Sequence, residues 1–520
     1  MKPIMIQAGA PLAVTETGSE KAAPAASTAA VRWALASLSL AMLLPSLGTS
    51  IANVGLPTLA QAFGASFQQV QWVVIAYLLA ITTLIVSAGR LGDLMGRRRV
   101  LLAGIVLFTV ASGLCAAAPA LWLLVAARAA QGLGAAVMMA LTMAFVGETV
   151  PREKTGSAMG LLGTMSALGT ALGPTLGGVL IAGPGWRAIF LVNVPLGLLA
   201  LLLAARHLPA DRPAPQKARA GFDTLGTLLL ALTLTAYALA VTVGGGRLQG
   251  LNAALLLAAL LGSGLFVLAE ANVASPLIRL AAFREAGFSA SLAMNALVST
   301  VMMATLVVGP FYLSRALGLS AAVVGVVMSV GPILSTFCGV LAGRGVDRWG
   351  APSMVVAGLT AMVAGAAALS LLPPLIGLAG YIAAIAVLTP GYQLFQAANN
   401  TAVMVDVRPE QRGVMSGMLS LSRNLGLITG ASVMGAVFAL AAGAGGITSA
   451  QPAAVAQGMQ VTFAVAAVLV VLALLTALIT AGAARGAGRL RADGWRAACV
   501  AGQETRPGKA AAASSREWPR

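Results

Sequence analysis

Gly89-Arg90-Leu91-Gly92-Asp93-Leu94-Met95-Gly96 is matched in spacing by Gly343-Arg344-Gly345-Val346-Asp347-Arg348-Trp349-Gly350, and both stretches read G-R-x-x-D-x-x-G. A second pair follows in the same phase, because 153–160 and 410–417 both read E-x-x-G-x-x-x-G. The two offsets are 343 − 89 = 254 and 410 − 153 = 257 residues. Two such similar offsets indicate that the chain contains one structural unit twice.

Long apolar blocks surround these motifs. Of the 520 residues, 59% are hydrophobic and 9% are charged, whereas a soluble domain carries about 25% charged residues. Blocks such as 33–54 and 461–481 match the roughly 20 residues that an α-helix needs to cross the hydrocarbon core of a membrane. A β-barrel would instead show apolar alternation over about ten residues. The sequence therefore predicts a chain of transmembrane helices.

Breaks at glycine, proline and charged residues divide the chain into fourteen predicted helices. Their ranges are 33–54, 70–90, 98–118, 121–146, 155–182, 186–206, 222–243, 251–271, 286–313, 319–343, 351–372, 375–403, 412–441 and 459–482. Duplication of a six-helix unit would place the second motif after helix 8, but it follows helix 10. Two helices are therefore inserted between the halves, and 222–243 and 251–271 are the candidates. The predicted fold class is an all-α membrane protein with two six-helix bundles and two inserted central helices.

Lysine and arginine are concentrated in alternate loops, and cytoplasmic loops hold the excess of positive charge. The predicted cytoplasmic segments are the two tails and the loops that begin near Arg90, Arg152, Arg206, Arg279, Arg344 and Arg408. The opposite loops carry Arg187, Arg247 and Arg315. Both termini are therefore predicted to be cytoplasmic, in a multi-pass protein of the inner (plasma) membrane. The net charge of +17 is interpreted as this topology signal with contact to anionic lipid, and not as nucleic-acid binding.

The predicted domain boundaries follow from the repeat and the loops. They are a disordered cytoplasmic tail at 1–31, an N-terminal six-helix bundle at 32–206, a linker with the two inserted helices at 207–275, a C-terminal six-helix bundle at 276–484 and a basic cytoplasmic tail at 485–520. A duplicated bundle is the plan of a secondary transporter, in which two halves move around a central site.

Several motifs resemble the major facilitator superfamily, in its fourteen-span drug:proton antiporter branch of the multidrug efflux type, over residues 33 to 482. The stretch 89–99 resembles the signature after helix 2, 128–136 resembles the helix 4 signature, and 163–178 resembles the antiporter signature of helix 5. Two further stretches, 186–195 and 276–284, are typical of the fourteen-span branch. The resemblance implies the major facilitator fold and places the arginine of helix 4, Arg128, in proton transfer.

Two of these signatures predict moving parts. A gating motif is expected where helices 2 and 10 meet the cytoplasm, because a carboxylate there can accept charge-assisted hydrogen bonds from a neighbouring helix end. Its predicted members are Gly89, Asp93, Gly96, Arg97, Arg98, Gly343 and Asp347. The predicted antiporter helix contains Gly169, Gly173, Pro174, Gly177 and Gly178. Its glycines allow a neighbouring backbone to approach and its proline favours a bend, although ordinary packing also explains the glycines.

Arg128 lies in the middle of an apolar segment, where a cation costs at least ~2.5 kcal/mol unless it faces a cavity or a partner. Gln131, Met138 and Thr142 follow it at i+3, i+10 and i+14, on one face of helix 4. The predicted substrate cavity is lined by Asn53, Arg128, Gln131, Met138, Thr142, Gln393, Gln396, Asn400 and Arg423. The alternatives are a structural role for the arginines, interhelical hydrogen bonds for the amides and ordinary packing for the methionine.

Gly48 marks a departure from the family, which usually has an aspartate at that place in helix 1. Coupling is therefore expected through Arg128, with Asp93 and Asp223 as the candidate acids of the proton path. No carboxylate falls at the centre of a predicted helix. Neutral or anionic substrates are favoured, because a dication would need a buried negative partner to offset its desolvation.

The predicted function is export of small amphipathic or hydrophobic, drug-like compounds across the inner membrane by alternating access, in exchange for protons. The alternative is an uncoupled or sugar-like efflux permease of the same fold. The sequence does not favour an enzyme, because its single histidine, His207, is peripheral and forms no metal or catalytic cluster. The expected partners are a small-molecule substrate, protons and the lipid bilayer, with no cofactor and with a monomeric chain.

Overall fold

The computed structural model describes residues 28–149, 155–211, 223–243, 250–273, 283–404, 412–443 and 450–504. These residues are almost entirely helical. Helices are expected in apolar surroundings because each backbone N–H and C=O group then finds its partner within the same segment.

We number the helices in chain order by membrane crossing. The first half contains α1 Thr28–Ala62, α2 Phe67–Met95, α3 Arg97–Ala117, α4 Leu121–Thr149, α5 Thr155–Ala182 and α6, which runs as Ala188–Leu191 and Asn193–His207. The inserted helices are α7 Thr224–Thr242 and α8 Gly250–Asn272. The second half contains α9 Ala286–Phe311 with a π turn Tyr312–Ala316, α10 Ala321–Trp349, α11 and α12 within Ala351–Met404, α13 Arg412–Thr429 with a π turn Gly430–Met434 and a last piece Gly435–Ala441, and α14 Pro452–Glu504.

Thirteen helices among the described residues are long and apolar enough to cross a membrane. One of them, Ala351–Met404, has 54 residues, and a straight helix of that length would span about 80 Å. It is broken at Ile376 (φ −129°, ψ 20°) and at Gly377 (φ +58°, ψ −130°). A methyl group on Gly365 would lie 2.6 Å from Cα of Leu388, so the two arms fold back on each other as α11 and α12. Counting these arms separately gives fourteen crossings in the described part of the chain.

The duplication is visible in the packing of α3 on α4 and of α11 on α12. A methyl group on Gly134 would lie 2.7 Å from the carbonyl oxygen of Gly104, and one on Gly391 would lie 2.9 Å from that of Gly358. The offsets between these pairs are 358 − 104 = 254 and 391 − 134 = 257. The additional three residues therefore lie between Gly358 and Gly391, in the α11–α12 hairpin.

The same relation holds between α5 on α1 and α13 on α9. Gly169 of α5 packs against the carbonyl oxygen of Leu43, and Gly426 of α13 packs against that of Ala296. These positions differ by 426 − 169 = 257 and 296 − 43 = 253 residues. Each half therefore repeats this second close helix contact as well.

The helix ends differ from the prediction at both ends of the chain. α1 begins at Thr28 and continues to Ala62, through Pro57, beyond the predicted end at residue 54. α14 continues to Glu504 and so includes part of the stretch predicted as the C-terminal tail. Residues 1–27 and 505–520 of the predicted tails lie outside the described residues.

The bundle has two ends, and we call the one that carries Arg97–Arg99, Arg206 and Arg348 the basic face. The halves are joined towards the opposite face. There the Phe67 ring of α2 lies 4.7 Å from the Phe311 ring of α9 and 5.4 Å from the Phe438 ring of α13. One apolar cluster connects the halves there, whereas a second cluster near the basic face contains residues of the first half alone.

Gly365→Val is expected to lower the thermal unfolding midpoint of the purified protein. The added methyl groups would meet the backbone of α12, and overpacking of this kind costs about 1 to 3 kcal/mol. Gly339→Val in α10 is the matched control, because no atom lies within 4 Å of a methyl group at that position. Thermal unfolding in detergent, followed by tryptophan fluorescence, measures both; equal losses would contradict the hairpin contact.

Candidate functional site

Arg128 of α4 lies at the centre of the first half, and its side chain is 0% exposed. Its Nε donates a hydrogen bond of 2.9 Å to the carbonyl oxygen of Val73 in α2. Its Nη1 donates to the carbonyl oxygen of Gly48 in α1 at 3.2 Å and to Oε1 of Gln131 at 2.5 Å. The guanidinium carbon also lies 4.0 Å from the centre of the Tyr77 ring. The arginine therefore connects α1, α2 and α4.

The partners of this cation are dipoles and an aromatic face. Backbone carbonyls, a side-chain amide and the Tyr77 ring surround it. Its Nη2 is buried and has no hydrogen-bond partner among the described residues. A buried charge is costly unless it is well paired, so Arg128 has the capacity to bind one further acceptor or anion.

Gly48 stands directly beside the arginine. A methyl group at this position would lie 3.4 Å from the Tyr77 hydroxyl and 3.4 Å from the edge of the Phe108 ring, which are ordinary packing distances. The Tyr77 hydroxyl itself donates to the carbonyl oxygen of Pro45 at 2.8 Å. The place where the family usually has an aspartate is therefore next to the cation, and it has room for a small side chain.

The other predicted residues of α4 share the environment of Arg128. Gln131 donates through Nε2 to the Ser112 hydroxyl of α3 at 2.7 Å. Met138 lies in the apolar cluster of the first half and Thr142 is also 0% exposed. The structure brings the predicted stripe together but encloses it within one half, so its contact with a substrate stays a prediction.

Asn53 of α1 is also 0% exposed. Its Nδ2 donates to the carbonyl oxygen of Thr49 in its own helix at 3.0 Å. Its Oδ1 is buried without a hydrogen-bond partner in the part of the chain that the structure describes. This oxygen is an acceptor that a polar substrate group or a water molecule can use.

The predicted residues of the second half are more open. Gln393, Gln396 and Arg423 are half-buried, and Asn400 is exposed. Gln396 donates to the Tyr392 hydroxyl one turn earlier, at 3.2 Å. The structure therefore places Asn400 apart from the half-buried residues of its predicted stripe.

The sequence interpretation missed two amides that connect helices in the second half. Asn399 of α12 is fully buried and donates to the carbonyl oxygen of Ser291 in α9 at 3.4 Å. Asn295 of α9 donates to the carbonyl oxygen of Leu419 in α13 at 2.9 Å. The rotation of α12 could have been found from Phe395, which lies one turn before Asn399 on the same face.

The predicted gating motif is held by an acid that the sequence interpretation missed. Asp211, beyond the end of α6, accepts hydrogen bonds from the backbone N–H groups of Arg98 at 2.7 Å and Arg99 at 3.2 Å. The Arg98 guanidinium donates to the carbonyl oxygen of Ala205. Gly96 precedes α3 with φ +99° and supplies no side-chain cap. The carboxylate therefore caps α3 and complements its positive N-terminus.

The remaining members of the gating motif are less constrained by the structure. The side chain of Asp93 lies outside the described part of the chain. Asp347 is exposed at the basic end of α10, and Arg97 is half-buried. No atom lies within 4 Å of a methyl group placed on Gly89 or Gly343. The gating role of these residues stays a prediction.

Asp223 immediately precedes α7 as its N-cap and is 7% exposed. Its Oδ1 accepts a hydrogen bond from the N–H group of Gly226 at 2.7 Å. A methyl group on Gly226 would lie 2.5 Å from an oxygen of Asp223 and 2.6 Å from an oxygen of Glu270, which is itself 3% exposed. Asp223 therefore has a buried acidic neighbour that its position at a helix start did not indicate.

Close contacts surround the predicted antiporter helix, α5. A methyl group on Gly173 would meet Ser50 of α1, and one on Gly177 would lie 3.0 Å from Ile51. Gly178 approaches Gly325 of α10, in the other half, and a methyl group on it would lie 2.9 Å from Cα of that residue. Pro174 is buried within the helix. α5 is thus closely packed against both halves.

Two equivalent six-helix halves with two inserted helices, the halves joined at one end, define a helical membrane transporter of the secondary type. The chain belongs to the Major Facilitator Superfamily, whose family model matches residues 38–431.

Two curated relatives and one solved structure show the breadth of this family. The chain is 30% identical to the riboflavin transporter RibZ of Clostridioides difficile over 400 residues, covering 77% of this chain and 86% of RibZ. It is 32% identical to the multidrug resistance protein Stp of Mycobacterium tuberculosis over 400 residues, covering 75% and 72% of the two chains. A bacterial homologue of the human lysosomal transporter Spinster, in an inward-facing and occupied conformation, superposes with a TM-score of 0.61 at 14% identity, covering 86% of this chain and 96% of that one.

Asp211→Ala is expected to destabilise the start of α3, because loss of a helix cap costs about 0.5 to 2 kcal/mol. Asp211→Asn should retain most of the stability, since asparagine also caps helices well. Hydrogen exchange of the amides of residues 97–100, measured by mass spectrometry, reports the difference. The assignment fails if the alanine and asparagine variants exchange at the same rate as the wild type.

Proposed function

We propose that this protein exports small amphipathic or hydrophobic, drug-like compounds across the inner membrane by alternating access, in exchange for protons. The observation that carries the proposal is 32% identity to a multidrug resistance protein over three quarters of the chain. The packing of Gly178 of α5 against Gly325 of α10 supports alternating access, because a close helix contact between the halves lets them move relative to each other while they remain in contact.

The join between the halves supports an exporter that faces the cytoplasm. The basic face is assigned to the cytoplasm by the positive-inside rule, with both termini on that side. The aromatic contacts of Phe67 with Phe311 and Phe438 then close the side that faces away from the cytoplasm. An exporter takes up its substrate in this state.

The charge balance around Arg128 supports a neutral or anionic substrate. The cation has one buried nitrogen without a partner among the described residues, and Gly48 supplies no acid beside it. An anionic group would offset the charge, whereas a second cation would add to it. The proton is carried by Asp93 or Asp223 together with Arg128.

An uncoupled efflux permease of the same fold is the second candidate. Gly48 favours it, because it contacts Arg128 through its backbone carbonyl and has no side chain where the family usually has a titratable one. The two candidates differ in one measurable property, which is the dependence of export on the proton gradient.

Everted membrane vesicles that contain the protein separate these candidates. Three fluorescent probes of different charge are used: ethidium as a cation, riboflavin as a neutral compound and carboxyfluorescein as an anion. The proposal expects uptake of the neutral or anionic probe, lost when an ionophore collapses the proton gradient. Equal uptake with and without the gradient would establish the permease, and transport of none of the probes would contradict a broad exporter.

Arg128→Ala is expected to reduce transport of the accepted probe about tenfold or more, since hydrogen bonds to charged groups are worth about 1.5 to 3 kcal/mol. Arg187→Ala is the control, because Arg187 lies at the end of the bundle opposite to the basic face and stacks on Trp186. Unchanged transport by the Arg128 variant would remove this arginine from the site.

Gly48→Asp is expected to increase the dependence of export on the proton gradient, because it places a carboxylate beside Arg128. Gly48→Ala controls for the added volume. The measurement is the ratio of vesicle uptake with the gradient to uptake without it. A ratio that is the same in the aspartate and alanine variants would show that an acid at this position does not couple transport.

A further inference from the structure

Two helix–helix contacts, which we call seams, join the halves at the face opposite to the basic face. The duplication relates one seam to the other. One seam is α5 on α10 and the other is α13 on α2. Pro174 of α5 corresponds to Ala431 of α13 by the offset 431 − 174 = 257, and Gln71 of α2 corresponds to Gly325 of α10 by 325 − 71 = 254. Equivalent positions therefore meet in both seams.

The chemistry at these equivalent positions differs. In the first seam, Gly325 packs its Cα against the carbonyl oxygen of Pro174 and against Gly178, so two backbones are in direct contact. In the second seam, the side-chain amide of Gln71 lies between the helices, and its Nε2 donates a hydrogen bond of 2.8 Å to the carbonyl oxygen of Ala431. One seam is a backbone contact and the other is a side-chain bridge.

The local structure of α13 makes this bridge possible. Ala431 lies in the π turn Gly430–Met434. The N–H group of Gly435 donates to the carbonyl oxygen of Ser432, whereas in a regular α-helix it would donate to that of Ala431. Gly435 also leaves space, since a methyl group on it would overlap the Gln71 amide. Turns of this kind are frequent at functional sites.

Gln71 is enclosed in apolar surroundings. Its side chain is 1% exposed, and Phe67, one turn earlier, packs against Phe311 and Phe438. Its Oε1 is buried without a hydrogen-bond partner among the described residues. An apolar side chain would be sufficient for packing at this position. The amide of Gln71 is therefore explained by its hydrogen bond to Ala431.

The inserted helix α7 lies across the same seam. Thr242 of α7 accepts a hydrogen bond from the indole N–H group of Trp72 in α2 at 3.1 Å, and the Tyr237 hydroxyl of α7 donates to Thr429 in α13 at 3.1 Å. α7 therefore contacts the two helices that Gln71 connects.

We infer that Gln71 is the latch of the gate at the face opposite to the basic face. Its amide holds α13 on α2 through Ala431 while the halves are closed there, and it releases that carbonyl when they separate. The α5–α10 seam, which has backbone contact, stays in place. This inference rests on the alternating-access part of the proposed function.

Gln71→Met tests the latch, because methionine has a similar length and no hydrogen-bond donor. Spin labels on cysteines introduced at Gln61 at the end of α1 and at Leu440 at the end of α13, in a background without the native cysteines, report the separation of the halves at this face. Both positions are exposed. The longer-distance population is expected to rise about fivefold, as for the loss of one interhelical hydrogen bond in a membrane.

Asn295→Leu is the matched control, because Asn295 makes the same kind of amide-to-carbonyl bond between α9 and α13 within one half. It should leave the distance distribution unchanged. Gly435→Ala disturbs the Gln71 bond from the side of α13, because the added methyl group would overlap the Gln71 amide. It should cause the same rise in the longer-distance population. Thermal unfolding identifies any variant that does not fold.

The latch is overturned if folded Gln71→Met and Gly435→Ala both keep the wild-type distances, or if Asn295→Leu shifts them equally. The distances are measured without substrate, so they are independent of the transport assay. If the Gln71→Met and Gly435→Ala variants shift the distances but the wild type exports none of the probes, the proposed function is contradicted and the latch is retained. Export by the wild type without a shift in the variants would contradict the latch alone.

Discussion

Close approach of helix backbones through glycine is the constraint on which the rest of this structure depends. In a membrane, the lipid tails are as apolar as the interior of a protein, so burial of apolar side chains does not drive helices together. Helices associate instead through packing and hydrogen bonds. Gly169 on the Leu43 carbonyl and Gly426 on the Ala296 carbonyl bring α5 to α1 and α13 to α9. Because the same contact occurs in both halves, the same kind of helix packing holds both bundles together.

A buried cation in such a bundle needs partners that the bundle itself provides. Arg128 obtains them from the carbonyl oxygens of Val73 and Gly48 and from Gln131. These dipoles reduce the cost of burial without neutralising the charge. The same contacts that connect α1, α2 and α4 therefore surround a buried cation with neutral partners.

Much of the fold could be predicted from the sequence. Length, hydropathy and the repeat around Asp93 and Asp347 are visible in the sequence without knowledge of which residues are in contact. The partnership of Arg128 with Gln131 was accessible too, because i+3 residues share a face of a helix. The cap that Asp211 provides for α3 was not, because more than a hundred residues separate the acid from Arg98. The i, i+3 and i+7 spacing from Gln393 predicts Asn400, whereas the buried residue is Asn399, one turn after the buried Phe395; the spacing of amides alone does not give the rotation of the helix.

Duplication creates two equivalent seams, but their contacts differ in this protein. If both seams were backbone contacts like Gly178 on Gly325, opening would require the simultaneous loss of two extended close-packed surfaces. A side-chain amide such as that of Gln71 can release one carbonyl and leave the helices intact. The π turn that presents Ala431 falls where α5 has Pro174, so the two copies differ at the position where Gln71 bonds to α13. Equivalent positions of the repeat therefore make different contacts, and the inserted helix α7 lies on the seam that Gln71 bridges.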